Sequence, residues 1–409
     1  MENEKKLTIG FFNDVFYPFV DGVVQVVDNY ARLLSKKANV LVFVPKGRDK
    51  HYKDAFPYEV VRSKRMRVFF LDYDLPLPQL DSHFKKILKN TKLDIVHIHS
   101  PFTIGKIGLE YAKKHHIPCV ATMHSQFKRD FKRSVKTPLL SPIVSILMAS
   151  IRSVFNNTTE NWAVNGEVGR IFHEEYKVKN KPIVMLNGTD MQPVTDNAKI
   201  DTLRKKYNIS PDEKVFLFVG RINILKNLPF LVRSLKILKE KHFPFKMIFV
   251  GTGQDEDLIK KQVKSLKMTK DVIFTGKITD REELACHYAL ADLFLFPSLY
   301  DCSSLVQIEA ASQKTPALFL KGSATSDTIT PEVNGYVSEH GELDYANKIV
   351  EIFSNEEKYN TVCQKAFDDL YLTWEEVVEK AFDRYNYLIE ENKKKIEKKK
   401  FSKKKSTKR

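Results

Sequence analysis

Cysteine is scarce in this chain: four residues in 409 (Cys119, Cys286, Cys302 and Cys363), far apart and with no CxxC pair. A disulfide framework or a cysteine-based zinc site is thereby excluded as an organising element, and a reducing, cytoplasmic setting fits. Long apolar runs are missing as well. The longest strongly apolar region, Leu139 to Ala149, is interrupted by Ser141, Pro142 and Ser145 and is too short to span a bilayer. No secretory pattern precedes the first strand-like run, because MENEKK passes directly into LTIGFF. Gly251-Thr252-Gly253 is too short for a GxGxxG dinucleotide fingerprint.

Acid is in deficit, with 51 Asp and Glu against 67 Lys and Arg, a net charge of +16. From Glu391 to Arg409 there are eleven Lys or Arg and two Glu, +9, which leaves +7 for the other 390 residues. Such a tail is expected to be disordered and solvated; it would draw anionic membranes or nucleic acid alike, or serve only to solubilise the chain. A dedicated nucleic-acid binder would instead spread basic residues among exposed aromatics over a face. With the charge gathered at one end, and Asp301 and Glu309 placed to repel phosphates, no specific nucleic-acid partner is expected. The remainder, 43% hydrophobic and 29% charged, is the composition of folded domains, two to three at this length.

Strands alternate with helical patterns along the chain. LTIGFF, ANVLVFVP, DIVHIHS and IPCVATMHS read as strands, with helices over Val23 to Leu34 and Ile107 to Lys114. The pattern restarts with PIVMLNGTD and continues through KVFLFVGR, FKMIFVGTG, DVIFTGK and ADLFLFPS. This predicts an α/β chain of two doubly wound domains, residues 1–185 and 186–370, with a hinge near Asn187 to Asp196 and ligands in the cleft between them. Trp374 to Ile389 carries a helical apolar stripe; it predicts a packed helix over 371–390, followed by the Lys-rich tail at 391–409.

Chemistry-bearing residues collect at predicted strand ends, where ligands of open α/β sheets bind. Gly220 and Arg221 end one strand, with Lys226 five residues beyond the arginine; a fork and a point charge suit a diphosphate. Gly251 and Gly253 follow the next strand and fit either a phosphate loop or a plain tight turn. Gly22, after FYPFVD, opens a helix. His97 and His99 share a strand face but lack a third ligand, so no metal is expected, while His124 ends a strand and is placed either to hydrogen-bond a substrate or to be a satisfied core histidine. Asp301 and Glu309 flank the start of another helix.

In order along nearly the whole chain, FYPFVDGV, HIHSP, TMHS, NGTD, VGRINILKN, GTGQDEDL, FTGKI and the acid-x7-acid pair Asp301/Glu309 resemble the retaining glycosyltransferases of family 4, which have the GT-B fold of two facing Rossmann-like domains. The resemblance implies hexose transfer from a nucleotide diphosphate sugar with retention of configuration and no metal or other cofactor. Arg221 and Lys226 would neutralise the departing diphosphate, with Gly22 and Gly220 close to it. Glu309 would hold the ribose and Asp301 the donor sugar. Amides of Ser303, Ser304 and Leu305 would reach a phosphate or the sugar, Gly251 and Gly253 would line the site, and backbone at Ile278 would face the base. His124 would lie near sugar and acceptor, and the final helix would cross back to the N-terminal domain. Where the family usually has Glu and then Gly-Phe-Gly, this chain has Asp301 and then Cys302-Ser303-Ser304, a departure that bears on the donor sugar.

For the acceptor, SQFKRDFKRSVK after His124 places Phe127, Phe131 and Val135 on one helical side with Lys128, Arg129, Lys132, Arg133 and Lys136 around them. A basic amphipathic helix with aromatics reads as a membrane-surface element, the alternative being that Phe127, Phe131 and Val135 pack on the sheet while the charges are solvated; Arg62 to Leu80 is a second basic-aromatic stretch. The resemblance includes transferases that glycosylate diacylglycerol. The expected partners are thus a nucleotide sugar such as UDP-glucose or UDP-galactose, a lipid acceptor and an anionic membrane surface. The expected location is cytoplasmic, on the inner face of the cell membrane. Surface polysaccharide, lipid-linked oligosaccharide or protein are the alternative acceptors.

Overall fold

The computed structural model describes residues 6–49, 51–67, 74–127, 141–299, 301–302 and 305–406. They fall into two compact units, residues 1–187 with 374–409, and residues 188–373. Each is an α/β unit around one parallel sheet.

The first unit has seven parallel strands, β1 (Thr8–Phe12), β2 (Asn39–Pro45), β3 (Glu59–Ser63), β6 (Ile95–Ile98), β7 (Cys119–Met123), β8 (Glu160–Ala163) and β9 (Ile183–Val184), beside a small antiparallel ribbon of β4 (Arg65–Met66) and β5 (Leu75–Pro76). The spatial order is β3-β2-β1-β6-β7-β8-β9. Strands such as β2 are buried at nearly every position, because helices cover both faces of the sheet; hence continuous apolar runs instead of alternation. Helix α1 (Gly22–Leu34) is started by Asp21, whose carboxylate accepts from the Val24 amide at 2.8 Å, a common N-cap. Asp81 does the same for α2 (Ser82–Asn90), and α3 (Thr103–His115) follows β6.

The C-terminal helix Trp374–Ser406 belongs to this first unit. Its stripe of Trp374, Val377, Val378, Ala381, Tyr385, Leu388 and Ile389 is buried. Trp374 meets Tyr30 of α1 edge to face, the Tyr385 ring lies parallel to Trp162 at 5.4 Å, and the Tyr385 hydroxyl bonds His97 Nδ1 at 2.5 Å. Arg384 forks onto Glu160 of β8. Tyr385→Phe, which deletes only the hydroxyl, should cost about 1 kcal/mol; a lower urea midpoint at unchanged slope would show it, and an unmoved midpoint would mean that the bond adds nothing net.

For residues 391–406 the expectation of a disordered tail over 391–409 is corrected, since the helix continues to Ser406, and 407–409 lie outside the described residues. A segment that extends an already packed helix escapes the cost of nucleation, and lysine is a good helix former. Glu390 and Glu391 pair with Lys393 and Lys394 one turn on, and Asn392 donates to the His116 carbonyl at 2.7 Å. No helix among the described residues is long and apolar enough to cross a membrane.

The second unit has six parallel strands, β10 (Lys214–Val219), β11 (Phe245–Val250), β12 (Val272–Gly276), β13 (Leu293–Phe296), β14 (Ala317–Leu320) and β15 (Tyr336–Ser338), in the order β12-β11-β10-β13-β14-β15. Phe216, Phe218, Phe249, Phe294 and Phe296 fill its centre.

Candidate active site

In each unit the sequence order of the strands reverses once, between β1 and β6 and between β10 and β13. At such a switch point the loops leaving the two strand ends part, and the crevice they leave takes ligands.

In the second unit, Gly220 (φ +152°) follows β10, exposed Arg221 comes next, and Asn223 caps the turn Ile224–Lys226. Lys226 reaches across the switch point to an ion pair with Asp301, beyond the end of β13, and its ammonium lies 5.4 Å over the Phe296 ring. The second oxygen of Asp301 is buried and has no partner among the described residues. An unsatisfied buried carboxylate oxygen is rare, and here it offers an acceptor for a hydroxyl donor. Asp255 ties the loops together by accepting from the Ile224 amide at 2.8 Å.

Gly251 and Gly253 let their loop pass close against the loop that leaves β10. A Cβ on Gly251 (φ +133°) would stand 2.0 Å from the Gly220 carbonyl oxygen, and one on Gly253 2.0 Å from that of Ile222. Only glycine permits so close an approach. The Gly220 and Gly251 amides donate to the Val250 and Gly276 carbonyls and so belong to the strand ends.

Glu309, on the helix Leu305–Ser312, is 8% exposed. Its Oε1 accepts from Arg281 at 2.8 Å and its Oε2 from the Tyr288 hydroxyl at 2.9 Å. Burial pushes its pKa up, while Arg281 and Tyr288 favour the carboxylate. Arg281 also donates to Asp190. Neither Arg281 nor Tyr288 was singled out by sequence, although both sit on the helix Arg281–Leu290 seven residues apart, a spacing that returns to one helix face. Ile278 packs half-buried on the core, and Leu305 opens its helix. Ser303 and Ser304 lie outside the described residues.

In the first unit, the Asp14 carboxylate accepts from Ser100 Oγ and from the Ile104 amide at 2.8 Å, which starts α3. Gly22, at the first position of α1, has open space where a side chain would be. His97 spends both ring nitrogens, on Tyr385 and on Thr122 Oγ1 at 2.7 Å. His99 and half-buried His124 meet Nδ1 to Nε2 at 3.0 Å. Burial pushes all three imidazoles down, His124 to about 3, so they are neutral at physiological pH. Gln126, which the sequence did not flag, is 3% exposed and neither amide atom has a partner among the described residues.

One membrane contact is overturned. Phe127 is 8% exposed and packs edge-on against Phe102 and Phe172, the sheet-packing alternative; it is a core residue. Lys128, Arg129, Phe131, Lys132, Arg133 and Lys136 lie outside the described residues.

Two family profiles match, "Glycosyltransferase Family 4" over residues 20–192 and "Glycosyl transferases group 1" over residues 199–369. An α-monoglucosyldiacylglycerol synthase of Streptococcus pneumoniae is 27% identical over 372 residues, covering 88% of this chain and 82% of that protein. Its namesake from Acholeplasma laidlawii is 25% identical over 408 residues, covering 96% and 100%. The solved sucrose-phosphate synthase of Thermosynechococcus elongatus superposes with a TM-score of 0.74 at 19% identity, over 94% of this chain and 99% of that one. With one profile on each sheet, a switch-point site in each unit and this likeness along its length, the chain belongs to the GT-B glycosyltransferases and resembles those that act on membrane lipids.

Proposed function

We propose that this enzyme moves glucose or galactose from its UDP conjugate to a membrane lipid such as diacylglycerol, with retention of configuration and without a metal, forming an α-glycolipid. The observation that carries the reading is the likeness to two α-monoglucosyldiacylglycerol synthases over most of their length and of this chain's. In this reading the second unit holds the donor. Arg221 and Lys226 stabilise the charge that gathers on the departing diphosphate, an effect strengthened where water is excluded. Asp301, released from Lys226, takes a sugar hydroxyl, and Glu309 takes the ribose. The Asp301-Cys302-Ser303-Ser304 run, shorter in reach and poorer in glycine than the family pattern, is where donor choice is set. In the first unit, His124 is the residue assigned to sugar and acceptor.

The deciding experiment offers labelled UDP-glucose, UDP-galactose and GDP-mannose with a membrane lipid extract and separates the products. A glycolipid labelled from a UDP-hexose is expected, and label confined to water-soluble products would overturn the lipid acceptor.

The same reading places the enzyme on the inner face of the cell membrane through its basic surfaces, each well-placed cation contributing about 1 kcal/mol. Changing Lys128, Arg129, Lys132 and Arg133 together to Ser should cut co-sedimentation with anionic vesicles at least tenfold, four such contributions far exceeding the ~1.4 kcal/mol of a tenfold change. Unaltered sedimentation would remove those residues from membrane binding.

A further inference from the structure

His99 and His124 stand just beyond the ends of the adjacent parallel strands β6 and β7. Their rings are 20° from coplanar with centroids 5.2 Å apart, and the Nδ1···Nε2 distance is 3.0 Å. Two imidazoles so arranged meet edge to edge through an N–H···N bond, not face to face. A neutral imidazole carries a single ring proton, so one ring donates and the other accepts, and the surroundings of His99 decide which.

His99 is 2% exposed, and its other nitrogen, Nε2, has no partner among the described residues. The rings of Phe11, Tyr30 and His97 close around it, with centroids 5.5, 6.0 and 4.1 Å away. Were the proton on Nε2, an N–H would be stranded in this aromatic pocket. Buried N–H groups without acceptors are rarer in native proteins than under-used acceptors, because the lost donor bond goes uncompensated. With the proton on Nδ1, His99 donates to His124 and leaves only a bare lone pair behind. The Nε2 of His124 is then the acceptor, and the His124 proton sits on Nδ1.

We propose that His99 is a positioning residue that locks His124 in its Nδ1–H tautomer, so that His124 offers a hydrogen-bond donor to the ligand and is unable to act there as a base. Burial keeps both rings neutral, which removes the doubly protonated form in which the distinction would vanish. The consequence for catalysis rests on the transferase reading: a donor holds a sugar hydroxyl oxygen or an oxygen that gains charge. The tautomer itself does not depend on that reading.

The test uses the full chain with selectively ¹⁵N-labelled histidine and long-range ¹H–¹⁵N correlation, His124 being assigned among the 11 histidines by the signal lost in His124→Gln. Wild type should show His124 protonated at Nδ1. His99→Phe keeps the ring packing without a nitrogen and should release His124 to the Nε2–H form. His99→Asn, whose amide can donate from near the same place, should restore Nδ1–H. In the transfer assay His99→Phe should lose roughly tenfold in kcat, the worth of one neutral hydrogen bond, with the donor KM within about twofold, and His99→Asn should recover most of it. An Nε2–H signal for His124 in wild type overturns the proposal even if neither His99 variant folds, as does an unchanged tautomer in His99→Phe. Wild type that turns over no donor would instead sink the transferase reading and leave the tautomer result standing.

Discussion

Lys226→Ala should lower kcat by on the order of 10² to 10³, the usual cost of deleting one preorganised charge from a site where negative charge develops. The loss should fall mainly on kcat, with a smaller change in the donor KM, because the diphosphate carries more charge as it departs than when bound to the sugar. Steady-state rates over a range of UDP-sugar concentrations measure this, and a near-wild-type kcat would take Lys226 out of the catalytic set. The ion pair adds a second consequence. Without the ammonium, Asp301 keeps one oxygen buried and unpartnered and loses the partner of the other, so the variant also carries an uncompensated acid near the incoming phosphates. Asp301→Asn in the Lys226→Ala background removes that repulsion. Part of the donor affinity should return while kcat stays low, and losses of the two single variants that simply add would show that the pair does not act as a unit.

Replacing Glu309 should have the next largest effect, on two separable quantities. Glu309→Ala strands the Tyr288 hydroxyl, which is fully buried, and an unsatisfied buried donor costs about 1–3 kcal/mol. The Arg281 side chain is 43% exposed and keeps Asp190, so its loss of a partner adds little. Thermal melting should therefore fall by several degrees. Donor affinity should fall with it, because the carboxylate assigned to the ribose is gone. Glu309→Ala combined with Tyr288→Phe tells the two apart: stability should recover as the stranded hydroxyl is removed, while calorimetry still finds weak donor binding. Donor affinity that matches wild type in either variant would end the ribose assignment.

The two-unit α/β architecture was legible because parallel strands buried on both faces write themselves as unbroken apolar runs, such as NVLVFVP in β2 and KVFLFV in β10. Strand β8 escaped notice because Glu160 and Asn161 interrupt that signal. Asn161 tolerates burial only through its bonds to Phe155 and Thr158, which a linear pattern does not display. PIVMLNGTD shows the reverse error, since only Ile183–Val184 is strand and the rest is connection. Arg221, Lys226, Asp301 and Glu309 stood out because they follow strand-like runs. Arg281 stayed hidden, as the arginine that clamps Glu309 lies 28 residues away and resembles any charged residue in the first turn of a helix. Tyr288 likewise looked like packing, and it is packing with a hydroxyl that matters. The helical tail was not legible because its charge density is that of a solvated coil, and only the packed helix from which it grows makes it helical.

Residues 188–373 interrupt the first unit, whose chain leaves at Asn187 and resumes at Trp374. The two ends of the interruption are clasped, Thr189 bridging to Thr373 and its amide donating to the Leu372 carbonyl at 2.8 Å. This sets an order for synthesis on the ribosome, where domains generally fold as they emerge. The second unit is complete once Thr373 has emerged. The first, though begun earlier, still lacks Trp374 and Tyr385, the rings that close over Tyr30, His97 and Trp162. The half of the enzyme translated first is thus the half that matures last, and a nascent chain arrested before Trp374 would carry a finished second unit and a first unit with its histidine strands uncovered.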